Sequence, residues 1–234
     1  MFYRRLSIAV AIVLFVQTSG RAEISSLSFN DFEDGTVQNW TRGNSPTPSN
    51  PINMATGGPD GIDDNYLHVA ASGMPDVPGG RLVVTNSLGF GEEWTGDYIA
   101  AGIVGFSLDV LNLNDDVDLY MRMGLMSDQF AQTGFITPSF HLPAGSGWTN
   151  ITFSIQEGDL VNDTGLAYAD VFQSIETIRV YDNVLDNNYT GFIHGQDVAF
   201  GIDNVRALTA VPEPSTLGVL AMSGLLWTAR RRRR

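Results

Sequence analysis

The sequence predicts an all-β protein: a single antiparallel β-sandwich of jelly-roll type, flanked by an N-terminal signal peptide and a short C-terminal transmembrane helix. Three observations carry that reading. Apolar residues recur at every second position in run after run, so each strand has one buried and one wetted face. Clusters of Gly, Pro, Asn and Asp separate the runs, as at Ser45–Pro51, Gly57–Asp64 and Pro75–Gly80. No stretch of the body shows a helical period of useful length; Asp170–Ser174 reads as one turn at most. About nine strands in two packed sheets make a sandwich rather than an α/β fold.

Taken in order, the strands are expected at Ile24–Phe32, Tyr66–Ala71, Arg81–Asn86, Val104–Leu111, Val117–Met123, Gly134–His141, Trp148–Ile155, Ile175–Tyr181 and Val198–Leu208. The alternation is cleanest in Phe106, Leu108 and Val110, in Leu119, Met121 and Met123, and in Ile151, Phe153 and Ile155. Asn112, Asn114, Asp116 and Asp118 have the spacing of a cation loop, but Val117 stands where the loop needs Gly and Met123 where it needs Glu. A hairpin turn at Asn114–Asp116 is the better reading.

The body, residues 23–210, lies between two unlike ends. In residues 1–22, Arg4 and Arg5 precede the apolar run Leu6–Val16, and Gly20 and Ala22 follow at the positions a signal peptidase inspects. An uncleaved anchor is the alternative. In residues 211–234, Pro212, Glu213 and Pro214 open a turn, the uncharged run Leu217–Ala229 follows, and Arg230–Arg234 close the chain. Thirteen residues of helix rise roughly 20 Å against a hydrocarbon core of about 30 Å, so the span is thin. The arginines hold it at the cytoplasmic side. An ordinary membrane anchor with a prolyl linker is the other possibility.

This three-part tail resembles the PEP-CTERM sorting signal of Gram-negative bacteria. The resemblance implies that Pro212, Glu213 and Pro214 are recognised by an exosortase, a membrane-embedded cysteine peptidase, after export with a signal peptidase. It further implies a mature protein at the cell surface or in the extracellular matrix.

Charge narrows the function classes. The full chain carries 26 acidic and 13 basic residues, with no cysteine. Every basic residue is arginine, and eight of them belong to the ends. The body holds Arg42, Arg81, Arg122, Arg179 and Arg206 against 25 acids, a net charge of −20. Such a surface repels nucleic acid and anionic lipid and attracts divalent cations. Without cysteine there is no disulfide or thiolate chemistry. Without lysine there is no Schiff base or phosphate-binding loop.

Two constellations stand out. Phe29–Gly35 with Trp40 opens the body, and Gly201–Leu208 closes it. Together they resemble jelly-roll carbohydrate-binding modules, many of which hold a structural calcium where first and last strands meet. That resemblance puts Glu33 and Asp203 forward as ligands, with Asp31 and Asp34 nearby; plain turn chemistry explains the same residues. Asp60, Asp63 and Asp64 read as a solvated loop, with a cation as the alternative.

The second constellation is aromatic. Tyr120 and Arg122 share the polar face of one strand, and Arg179 and Tyr181 have the same spacing on another. If the strands are neighbours, the four line a sugar-binding groove, with Trp94 near a loop beside it. The competing expectation is that the tryptophans are core residues.

No Gly-x-Ser-x-Gly, His-Glu-x-x-His or Gly-rich phosphate loop appears, and His68, His141 and His194 are scattered. The expectation is a non-catalytic exported module, structural or adhesive in an exopolysaccharide matrix. A calcium-stabilised carbohydrate-binding module is the alternative, and a secreted glycan hydrolase or lyase stands behind both.

Overall fold

The computed structural model of the protein describes residues 23–42, 51–75, 77–89, 91–127, 134–162, 165–185 and 191–210. The signal-like segment, the tail with Pro212, Glu213 and Pro214, and the span 217–229 lie outside them. No helix among the described residues is long and apolar enough to cross a membrane.

Among the described residues, eleven strands form two antiparallel sheets. They are β1 Phe29–Asn30, β2 Ile52–Met54, β3 Tyr66–Ala71, β4 Val83–Ser87, β5 Ile103–Asn112, β6 Leu119–Met126, β7 Gly134–Ile136, β8 Phe140–Leu142, β9 Thr149–Ser154, β10 Thr177–Asp182 and β11 Val198–Thr209. One sheet runs β2-β3-β11-β5-β9, with β1 also on β11; the other runs β4-β10-β6-β7, with β8 also on β6. One short helix, α1 Tyr168–Phe172, packs Val171 and Phe172 into the core.

The core sits between the sheets, built from alternate residues as period two requires. Leu67, Val69, Phe106, Leu108, Val110, Ile151, Phe153, Phe200 and Ile202 come from the first sheet. Val84, Leu119, Met121, Met123, Leu125, Phe135, Ile178 and Val180 meet them from the second.

Three elements depart from expectation. The first strand keeps only two paired residues, because Ser25–Ser28 closes a turn and Phe32 takes a left-handed φ of 58°. The single strand expected at Gly134–His141 is split into β7 and β8 around Pro138, which has no N–H to offer a ladder. Ile52–Met54 forms an edge strand that alternation did not reveal, since two of its three residues are exposed.

A buried polar knot fastens β1. Asn30 Oδ1 accepts the indole N–H of both Trp40, at 2.8 Å, and Trp94, at 2.6 Å. Its Nδ2 donates to Glu93 Oε2 at 3.0 Å. Both indoles are fully buried.

On the outer face of the first sheet, Trp148 reaches across to β11. Its Nε1–H donates to Gly57 O at 2.8 Å, and its ring meets Tyr66 edge-on at 5.3 Å between centroids. A Cβ at Gly201 would stand 2.9 Å from Trp148 Cη2 and 3.1 Å from the Tyr66 ring, so glycine is what lets the rings lie on the strand. Trp148→Phe keeps the ring and loses the bond; a stability loss of about 1 kcal/mol is expected in urea unfolding.

Candidate functional site

The outer face of the second sheet brings the expected groove residues onto one surface. β10 pairs with β6 so that Arg122 stands directly across from Tyr181, and Arg179 across from Gly124. With no side chain at Gly124, the Tyr181 ring lies against it: a Cβ there would be 3.3 Å from Tyr181 Cε1. Pairing of β10 with β4 adds Val83, Thr85 and Ser87 to the same face, opposite Tyr181, Arg179 and Thr177.

Exposure corrects the expectation of an open groove. Arg122 and Tyr181 are fully buried. Arg122 Nε donates to Asn183 O at 2.8 Å and Nη1 to Thr137 O at 3.0 Å. The guanidinium thus ties two loops to the strand. Tyr181 packs with Ile136, Val83 and Val161 in a small apolar cluster. Burial also lowers the proton affinity of the Arg179 guanidinium, with the nearby Tyr181 acting in the opposite direction.

Trp94 is likewise corrected. It is a core residue, held by Asn30 and packed on Trp40 and Phe106, and has no ring face to offer a ligand.

What sequence reasoning missed on this face is a line of hydroxyls. Thr85 Oγ1, Ser87 Oγ and Thr177 Oγ1 are buried without a hydrogen-bond partner, on neighbouring positions of β4 and β10. Such groups are uncommon in native proteins and ask for an explanation. At the other end of the face Tyr120, half-buried, stacks on His141 with centroids 5.0 Å apart and planes at 25°. His141 Nε2 lies 2.8 Å from Asp118 Oδ2, both side chains about half exposed. The Ala144 amide, then His141, hold the Asp118 carboxyl below its usual range. This Tyr120–His141 plate is the accessible aromatic surface of the expected set.

A second His–Asp contact lies behind it. His194 Nε2 is 2.6 Å from Asp182 Oδ2, while Asp182 Oδ1 accepts the Tyr120 amide at 2.5 Å. Both carboxylate oxygens of Asp182 are engaged, so the contact braces the sheet end.

The expected cation residues divide. Asp203 is buried, and desolvation together with Asp64, Asp109 and Glu33 pushes its carboxyl up to about 8, although the Asn204 amide works against that. Glu33 acts on Asp203 through its charge, the smallest of those contributions. Asp31 does not: its Oδ1 accepts the Glu33 amide at 3.2 Å and Gln38 Nε2 at 3.4 Å, which is turn chemistry. Asp109 is the residue missed, and Asp64 comes from the loop read as solvated. Asp109 reaches the cluster because Asp203 is its partner across β5 and β11. A register shift follows, where Asn204 takes a φ of 51° and its Nδ2 donates to Asp109 Oδ2 at 2.9 Å. The donors are all oxygens, as a hard cation requires. Among the described residues, no three Asp, Glu or His side chains are placed to hold one ion. The side-chain set Glu33, Asp31 and Asp203 is thus not assembled, and Asp203 stands as the centre of the cluster.

No family model matches the chain, and no curated protein matches it. Solved structures do. An exo-β-agarase is similar over 80% of this chain and 26% of its own, at 14% identity and a TM-score of 0.50. The chain therefore spans about a quarter of that protein. A family 11 carbohydrate-binding module from Clostridium thermocellum, in complex with a β-1,3-1,4-mixed-linked tetrasaccharide, covers 79% of this chain and 98% of its own, at 15% identity and a TM-score of 0.45. A family 27 module from Caldicellulosiruptor saccharolyticus, in complex with mannohexaose, covers 78% and 97%, at 14% identity and a TM-score of 0.46. At such identities the likeness is one of fold, a two-sheet antiparallel sandwich.

Proposed function

We propose that the chain is an exported, non-catalytic glycan-binding module whose ligand face is the outer face of the second sheet. Of the two leading sequence readings, this is the carbohydrate-binding one rather than the purely structural or adhesive one. The observation that carries it is the accessible Tyr120–His141 plate, on the sheet face that also carries the partly exposed Arg179. Sugar hydroxyls both donate and accept, and an aromatic plate stacks on a pyranose ring.

Calorimetry against neutral and acidic polysaccharides tests the proposal. Binding is expected for at least one class, weakened tenfold or more by Tyr120→Ala and by Arg179→Ala, about 1.4 kcal/mol each. Flat titrations across the panel overturn it.

Export and processing are the second part of the reading. It rests on residues 1–22 and on Pro212, Glu213 and Pro214, with signal peptidase and exosortase as the processing partners and an exopolysaccharide layer as the destination. Mass spectrometry of the protein from envelope and medium would fix both mature termini; a cytosolic chain with its tail intact would sink this part. As a lesser part, we propose that Asp203 takes a calcium ion, with backbone carbonyls completing the shell. Its support is the buried Asp203 carboxylate, directly across from Asp109 on β5, with the charges of Asp64 and Glu33 also acting on it.

A further inference from the structure

Both ends of the body leave the sandwich beside the same loop, 95–102. At the N-terminal side the Ile24 amide donates to Thr95 O at 2.9 Å, and the Glu23 side chain lies against Gly96. At the C-terminal side Thr209 is the partner of Ile103, and the Ala210 amide reaches Gly102 O at 3.4 Å. That pairing is the last backbone contact among the described residues. Only Val211 separates Ala210 from Pro212.

Chain length makes this end special. Four peptide steps from Ala210 to Pro214 span at most about 14 Å, and seven steps to Leu217, where the apolar run begins, span at most about 25 Å. An enzyme that takes Pro212–Pro214 into its cleft must work within that gap. It therefore meets the end of the sandwich as well as the tail.

That end has a surface suited to contact. Leu27, at the tip of the Ser25–Ser28 turn, is 86% exposed, and Ile99, in the loop itself, is 45% exposed. Glu23 and Asp97 lie in the same two segments. Leu27 and Ile99 have no evident part in the core, whose residues at this end are Ile24, Tyr98 and Ile103.

We propose that this end face, with Leu27 and Ile99 as its apolar contacts and Glu23 and Asp97 as its acidic rim, docks on the extracytoplasmic surface of the membrane-embedded peptidase that cuts the tail. The partner surface is apolar at its centre and basic at its edge. The inference rests on the processing reading above and extends it from a peptide signal to a folded recognition surface.

Pulse-chase labelling of the full-length chain in cells with active peptidase tests it. Leu27→Asp with Ile99→Asp is expected to slow conversion of precursor to mature form at least fivefold, with an unchanged melting temperature. Conversion at the wild-type rate overturns the docking surface while leaving the tail reading intact. A chain with Pro212, Glu213 and Pro214 all replaced by alanine separates the two. If it is converted as fast as wild type, the tail reading falls and the docking surface with it. The mature chain purified from culture is expected to stay in the supernatant with phosphatidylethanolamine–phosphatidylglycerol vesicles. Sedimentation that the double variant abolishes would give the face to lipid instead and overturn the proposal.

Discussion

Replacing Asn30 by alanine is expected to lower the unfolding free energy by about 4 kcal/mol, since two buried donors lose their only acceptor at once. The Trp40 and Trp94 indoles both donate to Asn30 Oδ1, and neither reaches solvent. Glu93 loses its amide partner in the same step. A small residue at position 30 also leaves a void between two large rings, which adds to the loss. Asn30→Asp separates these effects. It keeps the acceptor for both indoles but sets a second carboxylate against Glu93, and its stability is expected to fall between wild type and Asn30→Ala. The measurement is urea unfolding followed by tryptophan emission, with the midpoint shifting and the slope unchanged. A loss below about 1 kcal/mol for the alanine variant would show that the indoles find other acceptors.

The second large effect is at Asp203. Its carboxyl ionises at about 8 in the folded protein, against 3.8 for the ordinary group. The native state therefore binds a proton that the unfolded chain releases, and the sign follows from that. Stability on account of this group is full below about pH 4 and is lost progressively as the pH rises through about 8. Burial is the largest cause, and the charges of Asp64, Asp109 and Glu33 add to it. In metal-free buffer the loss is expected to be on the order of 3 kcal/mol by pH 9, the full conversion being reduced for solvent screening around the charged form. Asp203→Asn removes this slope and is expected to be more stable than wild type at pH 8 to 9. Calcium reverses the ordering if the site takes it: millimolar calcium raises the wild-type melting temperature at pH 8 and leaves the asparagine variant unmoved. Equal melting curves with calcium and with chelator, for both proteins, would reduce the cluster to a proton-binding one.

These two positions also mark how far the sequence could be read. Alternation located β3 residue for residue and placed β5, β6, β9, β10 and β11 to within a few residues, because each strand has one face in the core. It also set Tyr120 with Arg122 and Arg179 with Tyr181 on outward positions. It could not say what lies over those positions. Arg122 and Tyr181 are outward and yet wholly buried, a combination that period two does not encode. Trp94 carried no alternating context, and only the path of the chain brings it to Asn30, 64 residues earlier. Asp109 and Asp203 are likewise far apart in sequence. Strand order and register make them neighbours, and neither is fixed by a single strand's own pattern. A weak signal did exist: Ser107 and Asp109 on β5, Asn150 on β9 and Asp203 on β11 are all polar at outward positions. Polar residues at matched outward positions of strands that pair are what a network across a sheet requires.

β11 is twelve residues long and central in its sheet, with β3 and β1 along one edge and β5 along the other. Its last residues lead directly into the segment beyond Thr209. Tension applied there acts along the strand axis, so the ladders on both sides are loaded in shear and many hydrogen bonds resist together. A domain held from a peripheral hairpin would instead peel open one bond at a time. A pull on the C-terminal end of β11 is thus resisted by two ladders at once.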